Sequence, residues 1–435
     1  VDAVYRDREN LDLDTEQAKL LEETWKQFVR GGANLSDADK EKLKTLNEEL
    51  TVLSLEFGEN VLKETNKFEM VVTDEADLAG LPAASIEAAA EAGTKRGHEG
   101  AWVFTLHKPS LIPFLQYSEK RDLREKMWRA YTMVGNNGDE RDNKEILERM
   151  ANLRLERANL MGYPTHAHFV LDDNMAKNPD NVYGLLNQVW VPALNRAEVE
   201  VREMQELIDA EGGGFELAGW DWWYYAEKVK KAKYDLDEET MRPYFELESV
   251  KQGLFEVVGR LWGLTFVELT DVPVYQEDVK VYEVKEADGT TIAVWYTDYF
   301  PRESKRGGAW MSSFRKQRYD GDERVIPVIY NVGNFTKPTA QKPALLSADE
   351  VGTLFHEFGH ALHGIVSDCR YRTLSGTAVA RDFVELPSQV MENWAFEREV
   401  LDLFATHYET GEKIPADLVD KLEKSKQFNQ GFETV

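Results

Sequence analysis

The stretch His356-Glu357-Phe358-Gly359-His360 constrains this chain more than any other. Two histidines four residues apart lie on one face of an α-helix, one turn from each other. Two imidazoles so placed reach a single tetrahedral ion. Glu357 flanks that ion where it can take a proton from a water. H-E-x-x-H is the spacing that builds a zinc peptidase site from one helical turn.

The surrounding residues predict the helix that this reading needs. Ser347-Ala348-Asp349-Glu350 is a capping box, with Leu346 and Val351 placed as a hydrophobic staple. Val351, Leu354, Phe355, Phe358, Ala361, Leu362 and Ile365 recur at helical spacing, so most of the helix is expected to be buried, and Gly364 is its expected stop. Charged and imidazole groups on a buried helix need a partner, and a metal ion supplies one.

A catalytic zinc takes three protein ligands and keeps one position open. The extended pattern H-E-x-x-H-x-x-G-x-x-H fails, because His363 stands where that pattern needs glycine. His363 itself is poorly placed as a third ligand from the same helix. The alternative is a glutamate from a following helix, with Glu385, Glu392, Glu397 and Glu399 as candidates. Asp382 is the expected cap of that helix, with Glu385 in its first turn and Glu392 two turns on along the same face. Spacing alone leaves Glu385 and Glu392 nearly level.

HEFGHALH followed by SGT-x-V-A-RDFVELPSQ-x-x-ENW resembles the M3 family of zinc metallopeptidases. In that family the glutamate of the F-V-E triplet is the third ligand, which implies Glu385 here. The resemblance runs through essentially the whole chain, with FVRGGANLSDADKEKL, LSLEFGENVLKET, LDDNMAKNP, YFPRESKRGGAW and VIYNVGNFTKP as further matching stretches. The last two, with RDFVELPSQ, look more like the peptidyl-dipeptidase branch than the oligopeptidase branch. The resemblance implies a mainly α fold: two helical lobes walling a deep channel, with a small β-sheet near the metal. It implies one Zn²⁺ per chain held by His356, His360 and Glu385, Glu357 as the catalytic base, and short flexible peptides as substrates. It also implies a gap. The family's oxyanion-stabilising Tyr and His lie downstream of the F-V-E ligand, and Val435 falls before that segment, so the chain is expected to be a piece cut at both ends. Such a piece would carry the metal ligands, lack part of the catalytic constellation, and leave some apolar channel wall exposed.

Acidic residues outnumber basic ones 79 to 52, for a net charge of −27, which argues against nucleic acid or an anionic membrane as partner. The single cysteine, Cys369, rules out an internal disulfide and reads as a buried, inert thiol. No apolar run is long enough to span a membrane. The expected location is the cytoplasm; the start at Val1 rather than Met leaves open a removed targeting segment and with it a periplasmic or exported protein.

Two regions are expected: a helical lobe over 1–265 and a metal-binding region over 266–435. Helices are predicted from Asp14-Thr15 to Gly31, from Ser36 through Phe57, and near 120–134, 142–161, 180–211, 348–364 and 383–402. Residues 279–284 and 291–296 alternate about Asp288-Gly289 and predict a hairpin. Residues 325–332 predict a strand, with Pro327 suggesting an edge. An edge strand beside the metal would bind an extended peptide by adding a strand. Trp220 to Tyr225 reads as aromatic packing between helices rather than a stacking platform. His166 and His168, as a pair on one strand face, lack companions for a second metal site. Gly307-Gly308 reads as a close-approach loop or a simple turn. Arg302, Lys305, Arg306 and Arg381 are candidates to hold a substrate's terminal carboxylate, with surface ion pairs as the alternative for each.

Overall fold

The computed structural model describes residues 1–435. Helices dominate. Those of the first half include several long ones, and two of these, Asp37–Lys67 and Lys144–Leu160, pack together through Leu46, Leu50, Leu53, Ile146, Met150 and Leu153. Asp14 caps the Thr15–Arg30 helix and Ser36 the Asp37–Lys67 helix, as their sequences predict. The Pro179–Ala210 helix ends before Gly212 and Gly214, both with positive φ. Its first half presents Tyr183, Leu185, Leu186, Trp190, Val191 and Leu194 to solvent, an apolar face that no other element covers. No helix is long and apolar enough to cross a membrane.

Five strands form the main sheet: β1 (Thr265–Glu268), β2 (Lys280–Lys285), β3 (Thr291–Asp298), β4 (Trp310–Arg315) and β5 (Val328–Val332). Their spatial order is β1-β2-β3-β5-β4. β2 and β3 are the expected hairpin, turning at Gly289 with φ 89°. β5 is interior, not the edge that Pro327 suggested. Pro327 precedes the strand, so no ladder donor is lost, and its carbonyl accepts from Val294 N–H. The edge beside the metal-site helix is β4, whose sequence WMSSFR has too little apolar alternation to announce a strand.

The largest core holds 35 buried residues between Leu236 and Leu422, whereas the next holds 11 between Met70 and Met127, so the apolar centre of gravity lies around the sheet and the H-E-x-x-H helix. That helix, Ala348–Ile365, lies across the sheet with both capping-box bonds formed between Ser347 and Glu350. It ends one residue beyond Gly364, which serves instead as a contact: a Cβ there would meet Ile329 and Met311 of the sheet. The expected 383–402 helix is two, Glu385–Trp394 and Arg398–Phe404. Ala395 and Phe396, packed against the core between them, make the break without Gly or Pro. His166 and His168 lie on a short helix, His166–Leu171, not on a strand. Trp220 packs edge-on to Trp128, and Trp222 stacks on Phe432, which is packing of the expected kind.

Candidate metal centre

The H-E-x-x-H helix meets the Glu385–Trp394 helix at glycine. A Cβ on Gly359 would stand 2.5 Å from Ser388 Cα and 2.7 Å from Pro387 O, so only hydrogen lets the two backbones approach this closely. That contact brings the first residue of the second helix, Glu385, to the imidazoles of the first.

Glu385 Oε2 lies 3.2 Å from His356 Nε2 and 3.0 Å from His360 Nε2, and the three ligand atoms are all within 4.8 Å of one another. Ligand bonds of 2.0–2.1 Å in a tetrahedron set ligand–ligand edges of about 3.3 Å, so these separations fit one small divalent ion. The side chain of His360 is 12% exposed, that of His356 25% and that of Glu385 50%, so the cluster is closed on the helix side and open to solvent on the Glu385 side. An ion held there would be reached from solvent on that side.

The protonation states suit a cation. Burial pushes the Glu385 carboxyl up, but the Ser388 hydroxyl, donating to Oε2 at 2.9 Å, and the imidazoles of His360 and His356 outweigh it and hold the group below the usual carboxylate range. Burial holds His360 below its ordinary value against the pull of Glu385, leaving it a neutral ligand. Its Nδ1 is buried without a partner.

Glu357 is of the opposite kind. It is buried, its Oε2 has no hydrogen-bond partner, and burial, with the nearby Glu385, raises its carboxyl to about 7 against the pull of His356. A carboxylate tuned there is suited to take and give a proton near neutral pH.

Glu392 does not join the three ligand atoms. It sits behind them, its Oε2 3.2 Å from His356 Nδ1, a carboxylate–histidine arrangement that fixes the ring and its tautomer. His363 stays outside the cluster, with Nδ1 buried and unpartnered. Glu397 is the residue before the Arg398–Phe404 helix and Glu399 lies within it, and neither joins the cluster. Of the four basic candidates, Arg302 forks onto Asp298 at 2.8 and 2.9 Å. Lys305 is buried against Asp298 and the carbonyls of Asp298, Phe300 and Gly333. Both cations are committed to the fold. Arg306 lies over the Trp310 ring, beside the exposed Gly307-Gly308 turn.

Support for the helix comes from beneath it, through residues that no sequence motif marks. Trp295 Nε1 donates to Asn331 Oδ1 at 2.6 Å, and Asn331 Nδ2 donates to the backbone carbonyl of Glu357 at 2.7 Å. A fully buried chain thus ties the sheet to the backbone of the central glutamate. Nothing in the local pattern of VIYNV marks Asn331 for this.

Comparison with known proteins identifies the family. The family model described as peptidase family M3 matches residues 114–435. The dipeptidyl carboxypeptidase of Escherichia coli is 42% identical over 100% of this chain and 63% of its own length. Oligopeptidase A of Haemophilus influenzae is 37% identical over 98% and 63%, and that of Escherichia coli 38% over 98% and 64%. The chain therefore spans a little under two thirds of these relatives. A solved structure, PZ peptidase A with an inhibitor, aligns over 98% of this chain and 58% of its own at 16% identity and a TM-score of 0.46, too slight a likeness to carry weight. With the family model covering most of the chain, this protein belongs to peptidase family M3.

Proposed function

We propose that this chain carries the metal centre of a zinc peptidase that releases dipeptides from the free carboxyl end of short, unstructured peptides. The observation that carries the reading is the convergence of His356, His360 and Glu385 beside the unpartnered, buried carboxylate of Glu357. Two imidazoles and one carboxylate in this geometry suit zinc. When bound, the ion supplies a Lewis acid for the scissile carbonyl and acidifies a water at the open position. Glu357 takes the proton from that water and delivers it to the leaving amine. Glu385, His356 and His360 hold the ion, Glu392 orients His356, and Asn331 holds the Glu357 backbone. The free edge of β4 is placed to pair with an extended peptide.

The dipeptide reading is favoured by the 42% identity to dipeptidyl carboxypeptidase. The second reading, internal cleavage of short peptides, is favoured by the oligopeptidase A relatives, which match nearly as much of the chain at 37–38%. One experiment separates them: metal analysis of the purified chain with hydrolysis of one peptide in free-acid and C-terminally amidated forms. About one zinc per chain, with dipeptide release from the free acid alone, is the expected result. Equal cleavage of both forms selects the oligopeptidase reading. Zinc without cleavage of either, with the peptide still bound, makes the chain a zinc- and peptide-binding piece. No zinc at all overturns the assignment.

Two further results are expected. Chelation should lower the melting temperature, because at zinc a thousandfold above Kd the bound ion adds about 4 kcal/mol to stability. Glu392→Gln, which weakens the acceptor at His356 Nδ1, should loosen zinc about tenfold in a chelator competition. Unchanged affinity would remove Glu392 from the site.

A further inference from the structure

The loop leading into Glu385 is bonded to a turn more than two hundred residues away in the chain. The Glu385–Trp394 helix has Val384 as its N-cap and no side-chain capping bond. Asp382, the expected cap, faces elsewhere. Its Oδ1 accepts from Met175 N–H at 3.0 Å and its Oδ2 from Ala176 N–H at 2.9 Å. Arg381 N–H donates to Asn174 Oδ1 at 3.2 Å, so three parallel bonds join residues 381–382 to the turn at 174–176. The two amides hold the Asp382 carboxyl below its ordinary range, so it is ionised and the fork is charge-assisted.

The turn is built as a fixed receptor. Asn181 Nδ2 donates to Ala176 O at 2.8 Å, and Asn178 caps the Pro179–Ala210 helix. Asn174 Nδ2 donates back to Val170 O at 3.1 Å. Lys177 sits at φ 66°, the left-handed region that a lysine enters only at a cost. That conformation helps set the direction of the chain next to the amides of Met175 and Ala176. Met175 itself is 62% exposed, so its side chain does not hold the turn; the backbone bonds do. Glu385 is half-exposed, so burial does not fix its side chain. The crossing at Gly359 holds the helix behind it and the Ser388 hydroxyl holds one oxygen, which leaves the backbone leading into it to be fixed from the other side.

We propose that Asp382 is a positioning residue for Glu385, clamping the ligand loop to the 174–177 turn so that the metal centre is complete only while the helical region carrying that turn is docked. This rests on Glu385 being a metal ligand.

The test is zinc affinity of the full chain by competition with a chromophoric chelator, with the visible spectrum of the cobalt-substituted protein as second readout. Asp382→Asn keeps the shape, removes the charge and sets an NH2 group against one of the two backbone N–H donors. It should weaken zinc about tenfold, the scale of outer-shell losses, and alter the cobalt bands as Glu385 moves away, with the metal-free protein still folding cooperatively at a slightly lower melting temperature. Asn174→Ala, which removes the Arg381 contact together with the Nδ2 bond to Val170 O and leaves the Asp382 fork in place, should weaken zinc about threefold by the same argument and serves if Asp382→Asn does not fold. Glu385→Gln is the control for the underlying assignment. If it leaves zinc affinity unchanged, Glu385 is not a ligand and the proposed site falls. If it weakens zinc while Asp382→Asn stays within twofold of wild type with the same cobalt spectrum, the site stands and the clamp is overturned.

Discussion

Glu357→Gln is expected to lower peptide turnover about a thousandfold, the middle of the range for a lost general acid–base group, while zinc content stays near one per chain. The same change is expected to make the metal-free protein more stable. In the folded chain burial raises this carboxyl from its ordinary 4.5 to about 7, and its Oε2 finds no partner. Below pH 4.5 the group is protonated in folded and unfolded protein alike and costs nothing. Between 4.5 and about 7 the unfolded chain ionises while the folded one keeps its proton, so stability falls as pH rises, and the loss is complete above about 7. At 1.36 kcal/mol per unit the span is about 3 kcal/mol. Glutamine does not titrate, so the variant should match wild type near pH 4 and exceed it by about 3 kcal/mol at pH 8. Urea unfolding of both metal-free proteins at the two pH values measures this, and the difference between proteins cancels the titrating groups that Glu357 does not touch, leaving its own term and its coupling to His356 and Glu385. A variant no more stable than wild type at pH 8 would mean that Glu357 is not a strained, desolvated acid. The trade is the one expected where a group is kept for chemistry at the expense of the fold.

Much of the centre was legible because its signals are local. The H-E-x-x-H helix announces itself through a capping box and an apolar stripe, and both act within a few residues. The ligand glutamate was only half legible. Glu385 and Glu392 share a helix face, and periodicity cannot say which reaches the Nε2 atoms and which the Nδ1; the close crossing at Gly359 decides that, through contacts with Pro387 and Ser388. Asp382 does not cap the helix it precedes, as a carboxylate there ordinarily does, because two amides 207 and 206 residues away compete for it and win. β5 was placed at the edge because proline inside a strand lacks a donor, but Pro327 precedes the strand and its carbonyl serves the neighbour instead. The break at Ala395–Glu397 carries no Gly or Pro, since it is made by burying Ala395 in the core rather than by a local preference. What escaped the sequence is in each case a partner far along the chain.

Gly359→Ala should therefore be the most damaging methyl group that can be added to this site. The new Cβ would stand 2.5 Å from Ser388 Cα, 2.7 Å from Pro387 O and 3.0 Å from Met391 Cβ. Two of these are backbone atoms, which no rotamer change can move. Relief requires the Glu385–Trp394 helix to retreat by about 1 Å to reach ordinary contact, and overpacking of this kind costs about 3 kcal/mol. Glu385 rides on the first turn of that helix, so the retreat also opens the 3.0 and 3.2 Å separations to the two imidazoles beyond what one ion can bridge. Zinc affinity should fall on the order of a hundredfold, the upper end of what a displaced supporting group costs. Gly364→Ala is the matched control on the same helix. Its Cβ would meet Ile329 Cδ1 at 2.8 Å and Met311 Cε at 2.9 Å, the free ends of flexible side chains that can swing aside. It should cost about 1 kcal/mol of stability, the low end for overpacking, and leave zinc affinity alone. Chelator competition and urea unfolding on the two alanine variants give the comparison. If Gly359→Ala binds zinc as tightly as Gly364→Ala, the ligand geometry does not depend on the helix crossing, and Glu385 is placed by its own loop alone.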